Sequence, residues 1–135
     1  MANQLYGKGR EGFLDGRIDA DTDTIKLVLV DTALYTVSID VHDFLDDIAA
    51  GARVATSGAF TSKTVTLGVF DAADVTLTAV SGASVEAIVI YEDTGVESTS
   101  GLIAYIDTAT GLPFTPSGGD VTVTWDSGAN RIFKL

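Results

Sequence analysis

Apolar and polar positions alternate along most of this chain with a period of two. "TIKLVLVDT" (24–32) reads as a strand with a nearly continuous apolar core, and "YTVSI" (35–39) as another after a break at Asp31–Ala33. "TVTLGVFD" (64–71) and "DVTLTAV" (74–80) alternate threonine with valine or leucine, and "DAAD" between them reads as a tight turn. "SVEAIVIYED" (84–93) is apolar on both faces at its middle, which marks a strand at the centre of a sheet. "GLIAYID" (101–107), "DVTVTWD" (120–126) and "NRIFKL" (130–135) complete the series. Seven or eight short strands with no alternating helices predict an all-β fold, an antiparallel sandwich or barrel.

One segment departs from this period. In "SIDVHDFLDDIAAGAR", Val41, Phe44, Leu45 and Ile48 fall at i, i+3, i+4 and i+7. With Asp40 as N-cap and Gly51 as stop, the spacing predicts one short α-helix over about residues 41–50. The first fifteen residues, "MANQLYGKGREGFLD", are glycine-rich and basic at Lys8 and Arg10. They read as an extended basic N-terminal arm (1–15) ahead of a single β-sandwich domain (16–135).

Composition narrows the chemistry. A chain of 135 residues with 46% hydrophobic content can bury a real core. It has no cysteine, which excludes disulfides, zinc ribbons and thiol nucleophiles. No apolar run approaches the roughly 18 residues of a membrane helix, and no signal-peptide stretch opens the chain, so neither a membrane nor export is expected. The formal charge is −11, and residues 64–130 carry nine carboxylates and no Lys or Arg. A body of that kind repels phosphate backbones, so no nucleic-acid partner is expected.

Candidate chemistry is sparse. Asp15, Asp19, Asp21 and Asp23 alternate as calcium ligands can, but a loop opening at Asp19 would need Gly at its sixth place and Glu at its twelfth. Thr24 and Val30 stand there, so the segment reads as a solvated turn entering a strand, with a cation left open. "GKGREG" (7–12) matches the dinucleotide fingerprint G-x-G-x-x-G but lacks a strand before it and a helical pattern after it, so no cofactor is expected. His42 is the sole histidine and falls on the polar face of the expected helix. No G-x-S-x-G motif or P-loop occurs, and a single Trp gives little for a sugar ring to stack on, so no enzyme is expected. In the loop "TATGLPFTPSGGD" (108–120), Leu112 and Phe114 either fold back on the core or anchor a partner, and Trp125 poses the same choice.

The stretches "IKLVLVDTALYTVSIDVHDFLDDI", "ARVATSGAF", "KTVTLGVFDAADVTLTAVSG", "EAIVIYEDTG" and "LIAYIDTATGLPFTPSGGDVTVTWDSGANRIFKL" together resemble the capsid cement (decoration) proteins of tailed phages. The resemblance runs from about residue 16 to the C-terminus, and its last third is the most specific. It implies a jelly-roll-like β-sandwich, and a homodimer on the capsid exterior of the virion, assembled in the host cytoplasm. There it ties neighbouring copies of the major capsid protein together. It brings no catalytic, cofactor or metal residues. The first fifteen residues match least, so an arm gripping the capsid is read from the residues alone. Leu5, Tyr6, Lys8, Arg10 and Phe13 of the arm, with Leu112 and Phe114, are the expected partner-contacting residues. A tail or head–tail adaptor protein and a carbohydrate- or host-binding β-sandwich are the alternatives.

Overall fold

The computed structural model describes residues 3–135. Its centre is a strand pair, β2 (Ile25–Val30) and β7 (Ala87–Glu92), antiparallel and in unbroken register from Ile25 opposite Glu92 to Val30 opposite Ala87. All six residues of β7 are buried, as its two-sided apolar pattern predicts. β8 (Leu102–Ile106) flanks β7, and β3 (Arg53–Thr56) flanks β2, with a register shift at Leu29–Val30. β1 (Gln4–Leu5) closes the far edge against β8, giving the antiparallel order β1-β8-β7-β2-β3.

Because side chains alternate across a strand, β2 and β7 supply two separate cores. Leu27, Leu29, Ile88 and Ile90 point to one face, where Phe60, Phe70, Val75 and Leu77 cover them. Val28, Val30, Val89 and Tyr91 point to the other, under Tyr6, Tyr35, Leu45 and Ile48. The first face is roofed by two small antiparallel sheets. One consists of β4 (Thr64–Thr66), β5 (Val69–Asp71) and β10 (Phe133–Lys134), the other of β6 (Val75–Leu77) and β9 (Val121–Val123). The second face is roofed by the irregular segment 31–52. Each fully buried aliphatic side chain of these cores contributes roughly 1.5–3 kcal/mol. The fold is therefore the expected all-β, antiparallel arrangement with one short helix.

The helix stands elsewhere than expected. In place of a helix over 41–50 stand two 3-10 turns, Leu45–Asp47 and Ala50–Ala52. Phe44 is extended (φ −129°, ψ 164°) and bridges Gly101, with Leu45 N–H donating to Ser100 O and Leu102 N–H to Asp43 O. That pairing continues the large sheet and forbids an α-helix through Phe44. The Asp47 carboxylate also accepts the N–H groups of Asp43 and Phe44, a local bond that competes with helix formation. Val41, a member of the expected apolar stripe, is 69% exposed. "YTVSI" (35–39) likewise forms no strand, since Tyr35 is drawn into the core while its neighbours run irregularly. "TVTLGVFD" is two strands, β4 and β5, reversed at Leu67–Gly68, so β5 pairs with β4 and β10 instead of running on into β6.

The arm expected to be extended over residues 1–15 is folded wherever it is described; residues 1 and 2 lie outside the described residues. After β1, Tyr6 N–H donates to Ile103 O, and α1 (Gly7–Leu14) lies against β8. A helix of eight residues containing Gly7, Gly9 and Gly12 has poor intrinsic stability. The glycines are there for proximity. A Cβ at Gly9 would sit 2.6 Å from Leu102 O and 3.0 Å from Ile103 Cα, and one at Gly12 2.6 Å from Ile18 Cδ1. In "GKGREG", Gly9 is thus shaved to fit a strand, and Gly12 to admit the Ile18 side chain. Five aromatic rings then join the chain's two ends. Trp125–Phe60, Phe60–Phe70, Phe70–Phe133 and Phe133–Phe13 have centroid separations of 5.5, 6.5, 5.2 and 5.8 Å.

Gly9→Ala tests the fit of α1. Helix propensity alone would favour alanine by about 1 kcal/mol, but a methyl pressed on rigid backbone costs about 1–3 kcal/mol. Urea denaturation is expected to show a net loss of stability, and Lys8→Ala on the same helix little change.

Candidate partner interface

The residues expected from sequence to meet a partner separate into three groups. Tyr6 is fully buried, and its phenol bonds within the core. Lys8 pairs with Glu11 at 3.0 Å, and Arg10 reaches Leu5 O at 3.2 Å with Asp40 at 3.8 Å, so both cations serve the helix's own surroundings. Leu5, Phe13, Leu112 and Phe114 are half-buried, and each lines a groove open to the surface.

Phe13 belongs to a groove of about 530 Å³ between α1 and the β4-β5-β10 sheet, walled by Ile18, Val65, Phe70, Phe133 and Leu135. Val65 and Leu135 are 52% and 56% exposed. Leu67, beside the groove's Gly68, is 92% exposed and has φ 52°, followed by Gly68 at 79°. Two successive positive φ values make the tight hairpin turn that sequences usually build from Asn-Gly. A leucine there sits in a conformation that costs it about 1–2 kcal/mol and holds a large apolar side chain in water. Leu14, adjoining Phe13, is 89% exposed. Leu5 lines a smaller groove of about 260 Å³ with Tyr105, Ile132 and Phe133.

Leu112 and Phe114 wall a second large groove, about 600 Å³, on the other side of the roof. Its floor is Leu29 and Ile88 of the large sheet, and its far wall is β9. Phe114 is fixed by a two-bond bridge to Val85, with N···O distances of 3.0 and 2.8 Å. Trp125 packs on Phe60 and donates from Nε1 to Ala73 O at 3.2 Å, which makes it part of the roof.

The titratable groups form two further clusters. The aspartates at 19–23 turn onto their own backbone: Asp19 Oδ1 accepts Asp21 N–H, and Asp23 Oδ2 accepts Asp19 N–H at 2.8 Å. Among the described residues no group of three or more His, Cys, Asp or Glu converges on a metal position. Asp23 shares a side-chain hydrogen bond with Glu92, the last residue of β7. Burial and the Asp23 carboxylate push Glu92 up to about 7, while the bond from Glu92 holds Asp23 below its usual range. The pair therefore shares one proton near neutrality.

His42 lies in the irregular segment, away from any helix. Ser38 N–H donates to its Nδ1, so that nitrogen is an acceptor, and Tyr35 Oη donates to it at 2.8 Å. Tyr6 Oη then donates to Tyr35 Oη at 2.9 Å. Burial pushes Tyr35 up to about 12 and Tyr6 higher still, so the two phenols stay protonated at neutral pH and hold the roof of the second core. This chain of three rings, 29 residues apart at its buried end, was not signalled by any local spacing.

A scan against protein-family models finds no match for the sequence, and a search of curated proteins finds no relative.

The Glu92–Asp23 pair has a pH signature. A carboxyl held above its usual 4.5 adds stability below that pH, and the gain is lost as pH rises through about 7. Asp23, held low, adds stability at neutral pH that is lost only as acid protonates it. Glu92→Gln keeps a donor without the charge. Thermal unfolding of the two proteins is expected to nearly coincide at pH 5, with the glutamine variant melting higher at pH 8. A difference independent of pH would overturn the assignment.

Proposed function

We propose that this chain is a non-enzymatic structural protein of a phage head, a cement protein that docks as a homodimer on the outer surface of the expanded shell and bridges major capsid proteins. The observation that supports it most is the apolar surface around the Phe13 groove, crowned by a strained leucine at the tip of a hairpin. Folding alone gains nothing from Leu67 in that position, since asparagine would fit the turn better. An apolar tip held out at a cost in stability fits a docking contact. The sequence resemblance, strongest in the last third of the chain, supplies the kind of partner. Cement binding that is selective for the expanded lattice stabilises it by mass action, and a dimer gripping two sites needs only modest affinity at each.

Co-sedimentation with procapsids and with expanded heads tests this directly. Saturable binding near one dimer per lattice two-fold, selective for expanded heads, is expected. Leu67→Asn separates docking from folding. It should raise stability by about 0.5–1 kcal/mol in urea denaturation and yet reduce the amount bound to heads. Absence of binding to either form would overturn the cement reading.

A further inference from the structure

The groove beside β9 has the construction of a receptor for an extended polypeptide. Among the described residues β9 pairs with β6 alone, in a sheet of two strands, so its other edge meets the groove without a strand partner there. The opposite wall, around Leu112 and Phe114, is held by the bridge to Val85. The floor is apolar, from Leu29 and Ile88, and Val121 and Val123 add the alternate side chains of β9. An incoming strand would find backbone groups along one wall and pockets at alternate positions below, the two elements of recognition by strand addition. Exposed edges of this kind are ordinarily blunted by lysine, proline or a bulge. The edge here reads Val-Thr-Val, and the charges at its ends are Asp120 and Asp126.

Those two carboxylates decide the sign of the partner. Both are exposed and both line the groove, and no Lys or Arg lines it. Asp120 accepts a hydrogen bond from Ala79 N–H, which fixes it at the strand's start, while Asp126 follows its end. The surrounding stretch, residues 64–130, contains no Lys or Arg.

We infer that this groove binds an extended segment of a partner protein by strand addition to β9, a segment of alternating apolar residues flanked by Lys or Arg. The inference does not rest on the cement reading. It requires the groove alone, and the test below uses no phage heads, so either can fail without the other.

The probe is a labelled peptide that alternates valine and threonine between pairs of lysines, titrated with the full chain and followed by fluorescence anisotropy. Saturable binding is expected, weakened about tenfold when the lysines are replaced by glutamate, and lost when a central residue is replaced by proline. The double variant Asp120→Asn, Asp126→Asn, which keeps hydrogen-bonding capacity at both places, should bind the lysine peptide several-fold more weakly with unchanged circular dichroism. Hydrogen exchange should slow at the β9 amides when the lysine peptide is bound. The proposal is overturned by no saturable binding, by equal binding of the glutamate peptide, or by indifference to proline. Proline-tolerant binding would mark the groove as a simple apolar pocket.

Discussion

The β2–β7 pair presents apolar side chains on both of its faces, and neither face is stable in water uncovered. Leu27 and Ile90 on one side and Val28 and Val89 on the other are all fully buried. A two-sided apolar sheet in an α/β protein is covered by helices, but the described residues hold one α-helix, of eight residues. The covering must therefore come from short strands and ordered irregular chain, and much of the remaining structure follows from that need. On the first face the cover is two small sheets tied by a row of aromatic rings. On the second it is the segment 31–52, whose only regular elements among the described residues are two 3-10 turns, so its backbone must be satisfied piecemeal. Arg53 shows how. Its guanidinium donates to Ile48 O and Leu45 O and grips Glu97 through both carboxylate oxygens, at 2.6 and 3.1 Å. One side chain from the edge of the sheet thereby caps the Leu45–Asp47 turn and fastens it to the 97–99 turn.

The same constraint explains the N-terminal segment. α1 can approach β8 closely enough to cover it only because Gly9 leaves no side chain between backbone and backbone, while Gly12 makes room for the Ile18 and Arg17 side chains. Tyr6 plugs the second core just before the helix, and Phe13 meets the C-terminal Phe133 just inside its end. Arg17, after the helix, bonds Lys8 O and lies 5.5 Å over the Phe44 ring, closing the corner where the helix, β8 and the irregular segment meet.

How far the sequence disclosed this depended on whether the information was local. The central strands were legible because burial on both faces leaves an apolar run such as "AIVIY" that no other element needs. α1 was hidden because Gly9 answers to a strand distant in sequence, Ile103 of β8, and by propensity alone the glycines argue against a helix. The stripe Val41–Phe44–Leu45–Ile48 misled for the reverse reason. Its spacing is helical, but Phe44 is committed to a bridge with Gly101, and an inter-strand bond outweighs a periodicity that buries only part of its stripe. The Leu67 turn broke the usual turn chemistry, so β4 and β5 read as one strand. Of the residues expected to contact a partner, Phe13, Leu112 and Phe114 stood out as apolar side chains in segments that ought to be wet. The grooves they line could not be seen, since each is bounded by elements brought together only in the fold.

A roof made of two small sheets leaves seams that one continuous sheet would not. The Phe13 groove and the Leu112–Phe114 groove are those seams, one beside each small sheet, above a central layer that is fully committed to packing. The two larger apolar grooves therefore lie beside the least self-sufficient part of the molecule. Two-stranded sheets are marginal by themselves, and β6-β9 relies on its inner side chains, Val75 and Leu77, for its place. A third strand supplied by a partner would lengthen the hydrogen-bonded ladder and cover Val121 and Val123 at once. Binding and local stability at this seam are consequently one equilibrium. The openness that the core's geometry forces on the roof is what makes the roof able to gain by association.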